Sequence, residues 1–135
     1  MKFALTMVRL ESVFALLMVI AISIYNYQSI DWLDYLLMIA VVDAIGYLPG
    51  RLWCIVRKTT TPPKIFYQAY NVTHSLIFAL AVSAWYWHQV DQNLAFLGLF
   101  LHQLVDRGIL GNFAKQIGDP YHVSTFNLAA GTGSR

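Results

Sequence analysis

A chain of 135 residues allows one domain. Its residues are 58% hydrophobic and only 12% charged, about half the charged share of a soluble domain, which argues against a water-soluble globule. A formal charge of +2 is too small to point to nucleic acid, and the single cysteine, Cys54, excludes an internal disulfide, a CxxC redox pair and a cysteine-based zinc site.

Taken in order, the chain begins with a short, weakly basic stretch and then an apolar run, LESVFALLMVIAISIY at 10–25. Lys2 and Arg9 precede it as in a signal peptide, but no small-residue cleavage site follows. Tyr25, Tyr27 and Trp32 lie beyond it like an interfacial belt. It is therefore expected as a retained first span, about residues 10–28, long enough to cross ~30 Å of hydrocarbon. A second span is expected at about 32–48, stopped by Pro49-Gly50. The segment RLWCIVRKTTTPPK at 51–64 reads as a basic loop whose apolar middle lies along the membrane interface. A third span, about 65–87, ends in the aromatic belt Trp85-Tyr86-Trp87-His88, and a fourth runs from about 94 to 110. A polar tail follows, with a turn at Asp119-Pro120. The last five residues, GTGSR at 131–135, read as a cloning or protease scar.

The fold class expected is thus all-α and integral to a membrane, a four-transmembrane-helix bundle in one domain over residues 1–130. All nine Lys and Arg lie near the N-terminus, at 51–64, or from Arg107 onward. The stretches around 26–31 and 88–93 carry none and contain Asp31 and Asp91. With four spans this bias places both termini and the middle loop in the cytoplasm of a bacterial inner membrane. Counting along the spans then brings Glu11, Asp43, Asn71, His74, His102 and Asp106 to within roughly 10 Å of one level in the cytoplasmic half. The outer halves offer little polarity beyond Ser23 and Ser83, which argues against a transport path through a single copy.

Charged groups inside a bilayer cost about 2.5–3.5 kcal/mol each on insertion scales, so they face inward and meet partners. Three roles compete for this cluster. His102 and Asp106, at i and i+4 on one helix, can chelate a zinc or iron ion with His74 and Asp43 or Glu11 completing the sphere. Without a metal, a His–Asp pair can act as general base and a desolvated Glu11 or Asp43 as general acid. Third, the cluster can be a structural network in a small carrier or an accessory or immunity protein. An enzyme acting on a lipophilic small molecule by isomerisation, cyclisation or hydrolysis is the leading expectation. His74, His102, Asp106, Asp43 and Glu11 would be its reactive set, and Tyr47, Tyr67, Tyr70, Asn71 and Arg107 would position the substrate. Membrane lipids are the expected surroundings, and the small core of one bundle favours a dimer or trimer. The tail, with His122, is expected either to fold over the cytoplasmic mouth as a lid or to be disordered.

Three motifs, DAIGYLPG at 43–50, YNVTH at 70–74 and HQLVDRGILGN at 102–112, resemble those of a family of small bacterial four-span integral membrane proteins of unknown function. The resemblance covers about residues 9–125. It implies a shared core of Asp43, Gly46, Tyr47, Tyr70, Asn71, His74, His102, Asp106 and Arg107, and brings no activity with it. A Thr-His pair of that family near the tail is not matched, since His122 is followed by Val-Ser-Thr. YNVTHSL is also similar to the His-containing helices of membrane-bound metal-dependent hydrolases, whose remaining ligand pattern is missing.

Overall fold

Long apolar runs without strand-type alternation can satisfy their backbone only as helices. The computed structural model describes residues 2–131, and among these the fold is all-helical with no strand. The α-helices are α1 (Lys2–Tyr25), α2 (Trp32–Gly46), α3 (Leu48–Arg57), α4 (Lys64–Thr73), α5 (Leu76–Gln89), α6 (Leu97–Val105) and α7 (Thr125–Ala130). Short 3-10 turns at Tyr27–Ser29 and Leu94–Phe96 and a π-helical turn at Asp106–Leu110 lie between them.

One helix, α1, is by itself long and apolar enough to cross a membrane. The pairs α2–α3 and α4–α5 qualify only if each counts as one bent span, with bends of 42° and 58°. The second apolar run ends at Gly46, next to the expected stop at Pro49-Gly50, and continues as the bent helix α3 where a loop was expected. The third, expected as one span over about 65–87, is broken at His74–Ser75. The fourth is the nine-residue α6 between a 3-10 turn and the π-turn.

Each break has a local cause. The Asp31 carboxylate caps α2 by accepting from the Leu33 and Asp34 N–H groups. The helix ends at Gly46 because Pro49 has no N–H to continue the ladder. Pro49 instead occupies the first turn of α3, where no donor is needed. The expected basic loop is thus helical up to Arg57. At the second break Ser75 leaves helical backbone and caps α5, its Oγ accepting from the Phe78 N–H at 3.1 Å. Carbonyls at this break accept from side chains of the last apolar segment. Gln103 Nε2 donates to Thr73 O (3.1 Å) and Ser75 O (3.0 Å), and Arg107 Nη2 donates to His74 O (3.3 Å).

The last apolar segment is the hub, since α6 packs on both α1 and α2. A Cβ at Gly98 would collide with the Tyr35 carbonyl, and one at Gly108 would lie 2.9 Å from Val13 Cγ2, so both approaches need glycine. Val42, Ala79 and Leu99 form the middle of the core, between a Tyr35–Tyr86–Leu97 cluster at one end and a Cys54–Tyr67–Tyr70–Tyr121 cluster at the other. The outer end is more polar than expected: Tyr86 OH donates to Asp34 Oδ2 at 2.6 Å, and Asn93 Nδ2 bridges Tyr86 and Asp91.

The tail is ordered across the opposite end. Asn71 grips Lys115 at two points, donating to its carbonyl (2.9 Å) and accepting from its N–H (2.7 Å). Tyr67 OH donates to Asp119 O at 2.6 Å, and Tyr121 OH to Gly46 O at 2.8 Å. Beyond it α7 docks on α1, with Arg9 over the Phe126 ring at 4.4 Å. Of the terminal stretch read as a scar, Gly131 is described and residues 132–135 lie outside the described residues.

Candidate metal centre

The end of α2, the break between α4 and α5, and the junction of α6 with the π-turn meet at one point. Asp43 comes from the last turn of α2, His74 from the break, and His102 and Asp106 from one face of the last segment. His74 Nε2 lies 3.3 Å from Asp43 Oδ1 and 3.2 Å from Asp106 Oδ2. His102 Nε2 lies 3.5 Å and 3.8 Å from the same two oxygens. Asp43, His74 and His102 offer ligand atoms that all fall within 4.8 Å of one another.

The hydrogen bonding around His74 defines its tautomer. Its Nδ1 sits 3.0 Å from the Tyr70 carbonyl, which can only accept, so Nδ1 carries the proton. Its Nε2 then presents a lone pair toward the carboxylates. Tyr70 also stacks on the imidazole, with ring centroids 3.9 Å apart and planes 14° off parallel, and its OH points to Asp106 Oδ2 at 3.4 Å. Carbonyl and aromatic support of this kind orients imidazole ligands in metal sites.

Both Nε2 atoms are buried and lie within ion-pair distance of both carboxylates, but none of these contacts has hydrogen-bond geometry. A His–carboxylate ion pair closes to about 2.7–2.9 Å, shorter than any of the four separations here. The 3.2–3.8 Å separations are instead of the size found between ligand atoms that share one metal ion with bonds of about 2.0–2.1 Å. The triad Asp43, His74 and His102 is a nitrogen and oxygen donor set of a kind that holds a metal ion, with Asp106 beside it.

Two small cavities flank the cluster. One, of about 170 Å³, is lined by Asp43, Tyr47, Tyr70, Asp106, Leu110 and Asn112. The Asp43 side chain is 43% exposed, so this is the open side of the centre. The other, of about 120 Å³, lies between His74, Gln103, Asp106, Arg107 and Asn112 and is roofed by Phe113 and Ala114 of the tail. A larger apolar groove of about 480 Å³ runs between α2 and α5, past Leu37, Val41, Ile45 and Phe78. It does not serve the cluster: Val41 and Asp43 are about 200° apart around α2 and face opposite ways.

The structure thus brings together Asp43, His74, His102 and Asp106, with Tyr70 behind them and Tyr47, Asn71 and Arg107 around the cavities. It leaves out two expected residues and His122. Glu11 lies exposed on α1, and among the described residues no hydrogen bond or ion pair ties it to the cluster. The phenol of Tyr67 points to the tail carbonyl of Asp119 and serves to hold the tail. His122 is exposed, and its neighbour Tyr121 is the residue that inserts, stacked on Tyr47 at 5.5 Å. Burial among these rings pushes the Tyr121 phenol above its ordinary pKa.

Gln103, Asn112 and Lys115 were not anticipated. Gln103 carried a signal, a polar side chain inside an apolar helix beside His102. Lys115 carried none, because a lysine in a polar tail is normally solvated. Here it is only 7% exposed, with Nζ donating to Val123 O at 3.1 Å and lying 4.9 Å above the Tyr70 ring. Burial holds its pKa down, to about 8. Comparison of the chain with known protein families, characterised proteins and solved structures returns no match.

Proposed function

We propose that the chain is an integral membrane enzyme in which Asp43, His74 and His102 hold a zinc or iron ion, with Asp106 beside it, at the polar end of a lipophilic substrate. The observation that carries this reading is the pair of buried Nε2 atoms converging between two carboxylates without hydrogen-bond geometry. A purely structural network would satisfy its own hydrogen bonds, because an orphaned buried polar atom costs about 1–3 kcal/mol. The membrane setting is supported by α1 and the two bent pairs, three candidate spans at most, while a fourth span at about 94–110 and cytoplasmic termini rest on the charge bias. The three motifs at 43–50, 70–74 and 102–112 all contribute residues to the centre or its cavities.

A bound divalent ion would supply Lewis-acid activation of water or of a substrate oxygen, which favours hydrolysis among the reactions considered. The protein's own groups divide the remaining work. Tyr70 holds the His74 ring through its carbonyl and its π-face, and steadies Asp106 through its hydroxyl. Asp106, which falls outside the Asp43–His74–His102 ligand group, is placed to take a proton from the attacking group, and three protein ligands would leave a fourth metal position open for it. Arg107 and Asn112 line the adjoining cavity as substrate contacts.

Elemental analysis of the detergent-purified protein beside His102→Ala tests this. The expected result is near-stoichiometric zinc or iron in the wild type and at least tenfold less in the variant. Metal absent from both, with none bound on reconstitution, would refute the metal centre and leave acid–base chemistry by His74 and Asp106 in its place.

A further inference from the structure

The cavity between Gln103, Arg107 and Asn112 contains more unused hydrogen-bonding capacity than packing requires. The Arg107 guanidinium makes one long contact, to the His74 carbonyl, and pairs with no carboxylate among the described residues. Gln103 is 1% exposed; its Nε2 is committed to two carbonyls, and its Oε1 has no partner. The Asn112 side chain lines both cavities and makes no hydrogen bond among the described residues. The cavity therefore presents donors from Arg107 and Asn112 and one acceptor, the Asp106 carboxylate, beside His74 of the centre; the unpartnered Gln103 Oε1 lies buried behind it.

Charge narrows the ligand. Asp43 and Asp106 are offset by Arg107 and by Lys115, which sits behind Tyr70. A divalent ion then leaves the chamber with about two excess positive charges in a poorly solvated site, and a neutral ligand would not compensate them. Asp106 borders the same cavity; its charge is offset by the ion beside it, and its carboxylate can accept from a proton-bearing oxygen. A hydrogenphosphate group matches the donors and the acceptor together. Its charged oxygens take Arg107 and Asn112, and its P–OH gives to the Asp106 carboxylate. A phosphate monoester near its second pKa of about 6 does the same.

Building on the metal reading above, we propose that this cavity is a phosphate subsite and that the enzyme acts on a phosphate ester. The shared chemistry is a phosphoryl head group, carried either by a membrane lipid or by a free molecule.

Isothermal titration of metal-reconstituted protein in detergent tests this, with inorganic phosphate, inorganic sulfate and dihexanoyl phosphatidic acid as probes. Phosphate is expected to bind at least tenfold more tightly than sulfate, which has no proton to give the Asp106 carboxylate. Arg107→Gln and Asn112→Asp should each weaken phosphate at least tenfold, and Arg107→Lys only a few-fold. Phosphatidic acid binding tenfold above phosphate identifies a lipid substrate; equal binding identifies a free one. Absence of phosphate binding, or wild-type affinity in Arg107→Gln, overturns the proposal. Metal content of the same samples separates the two readings: metal present without phosphate binding sinks the subsite alone. Phosphate binding lost in Arg107→Gln but without metal upholds the subsite and sinks the centre.

Discussion

At Gly46 a single methyl group would reach the centre. A Cβ there would overlap Thr73 Oγ1 and lie 3.2 Å from His74 Cε1. Thr73 Oγ1 is itself 3.1 Å from His74 Nδ1, so the strain passes to the imidazole. Gly46→Ala is expected to cost about 1–3 kcal/mol of stability and to weaken metal binding by about tenfold or more. A competition titration with a chromophoric chelator, beside thermal unfolding, checks both; unchanged metal affinity would show that Thr73 does not orient His74. Lys115 makes a second prediction at this scale. Its pKa falls from 10.5 to about 8 on folding, so the folded state resists its proton. The unfolded chain binds more protons between these values, and stability should rise as pH rises from 8 to 10.5. Below pH 8 the burial cost is fully present. Thermal unfolding across this range should show the rise in the wild type and a flatter profile in Lys115→Met; equal slopes would contradict the burial.

At the scale of elements, the two bends create the site. A straight helix through residues 64–89 would carry His74 with its backbone fully paired and would offer no free carbonyls. The 58° break frees the Thr73 and His74 carbonyls, which Gln103 and Arg107 reach over from the neighbouring segment to take; Gln103 also makes a second bond to the Ser75 carbonyl, which already accepts the Ala79 N–H. Gln103→Leu strands the Thr73 carbonyl in a dry interior and is expected to cost about 1–3 kcal/mol, seen as a lower unfolding midpoint in detergent. A loss below about 0.5 kcal/mol would mean that the break satisfies itself. The π-turn at Asp106–Leu110 is the matching irregularity on the other side. Such turns recur at functional sites, and this one starts at a residue of the centre.

At the scale of the whole molecule, a polar centre lies at one end of an apolar body, under an ordered tail. The charge bias predicts that residues near 60 and near 91 lie on opposite sides of the membrane. In a Cys54→Ala background, Thr60→Cys is expected to react with an impermeant maleimide only after the cells are opened. Asp91→Cys should react on intact cells. Both reacting on the same side would exclude the four-span topology.

How far the sequence alone reached is clearest at the site. Helical class and apolar segments follow from composition and run length. The shared level of Asp43, His74, His102 and Asp106 follows from the regular rise of a helix. His102 and Asp106 also declare themselves through their i,i+4 spacing. Glu11 satisfied the same counting but lies on the exposed side of α1, since a sequence level says nothing about which face a packed helix buries. Pro49 marks the first break locally, whereas the second break, whose freed carbonyls Gln103 and Arg107 take, the insertion of Tyr121 in place of His122, and the burial of Lys115 were decided by tertiary structure. Each depends on contacts between residues far apart in the chain, such as Asn71 with Lys115 and Gly46 with Tyr121, and local pattern holds no record of them.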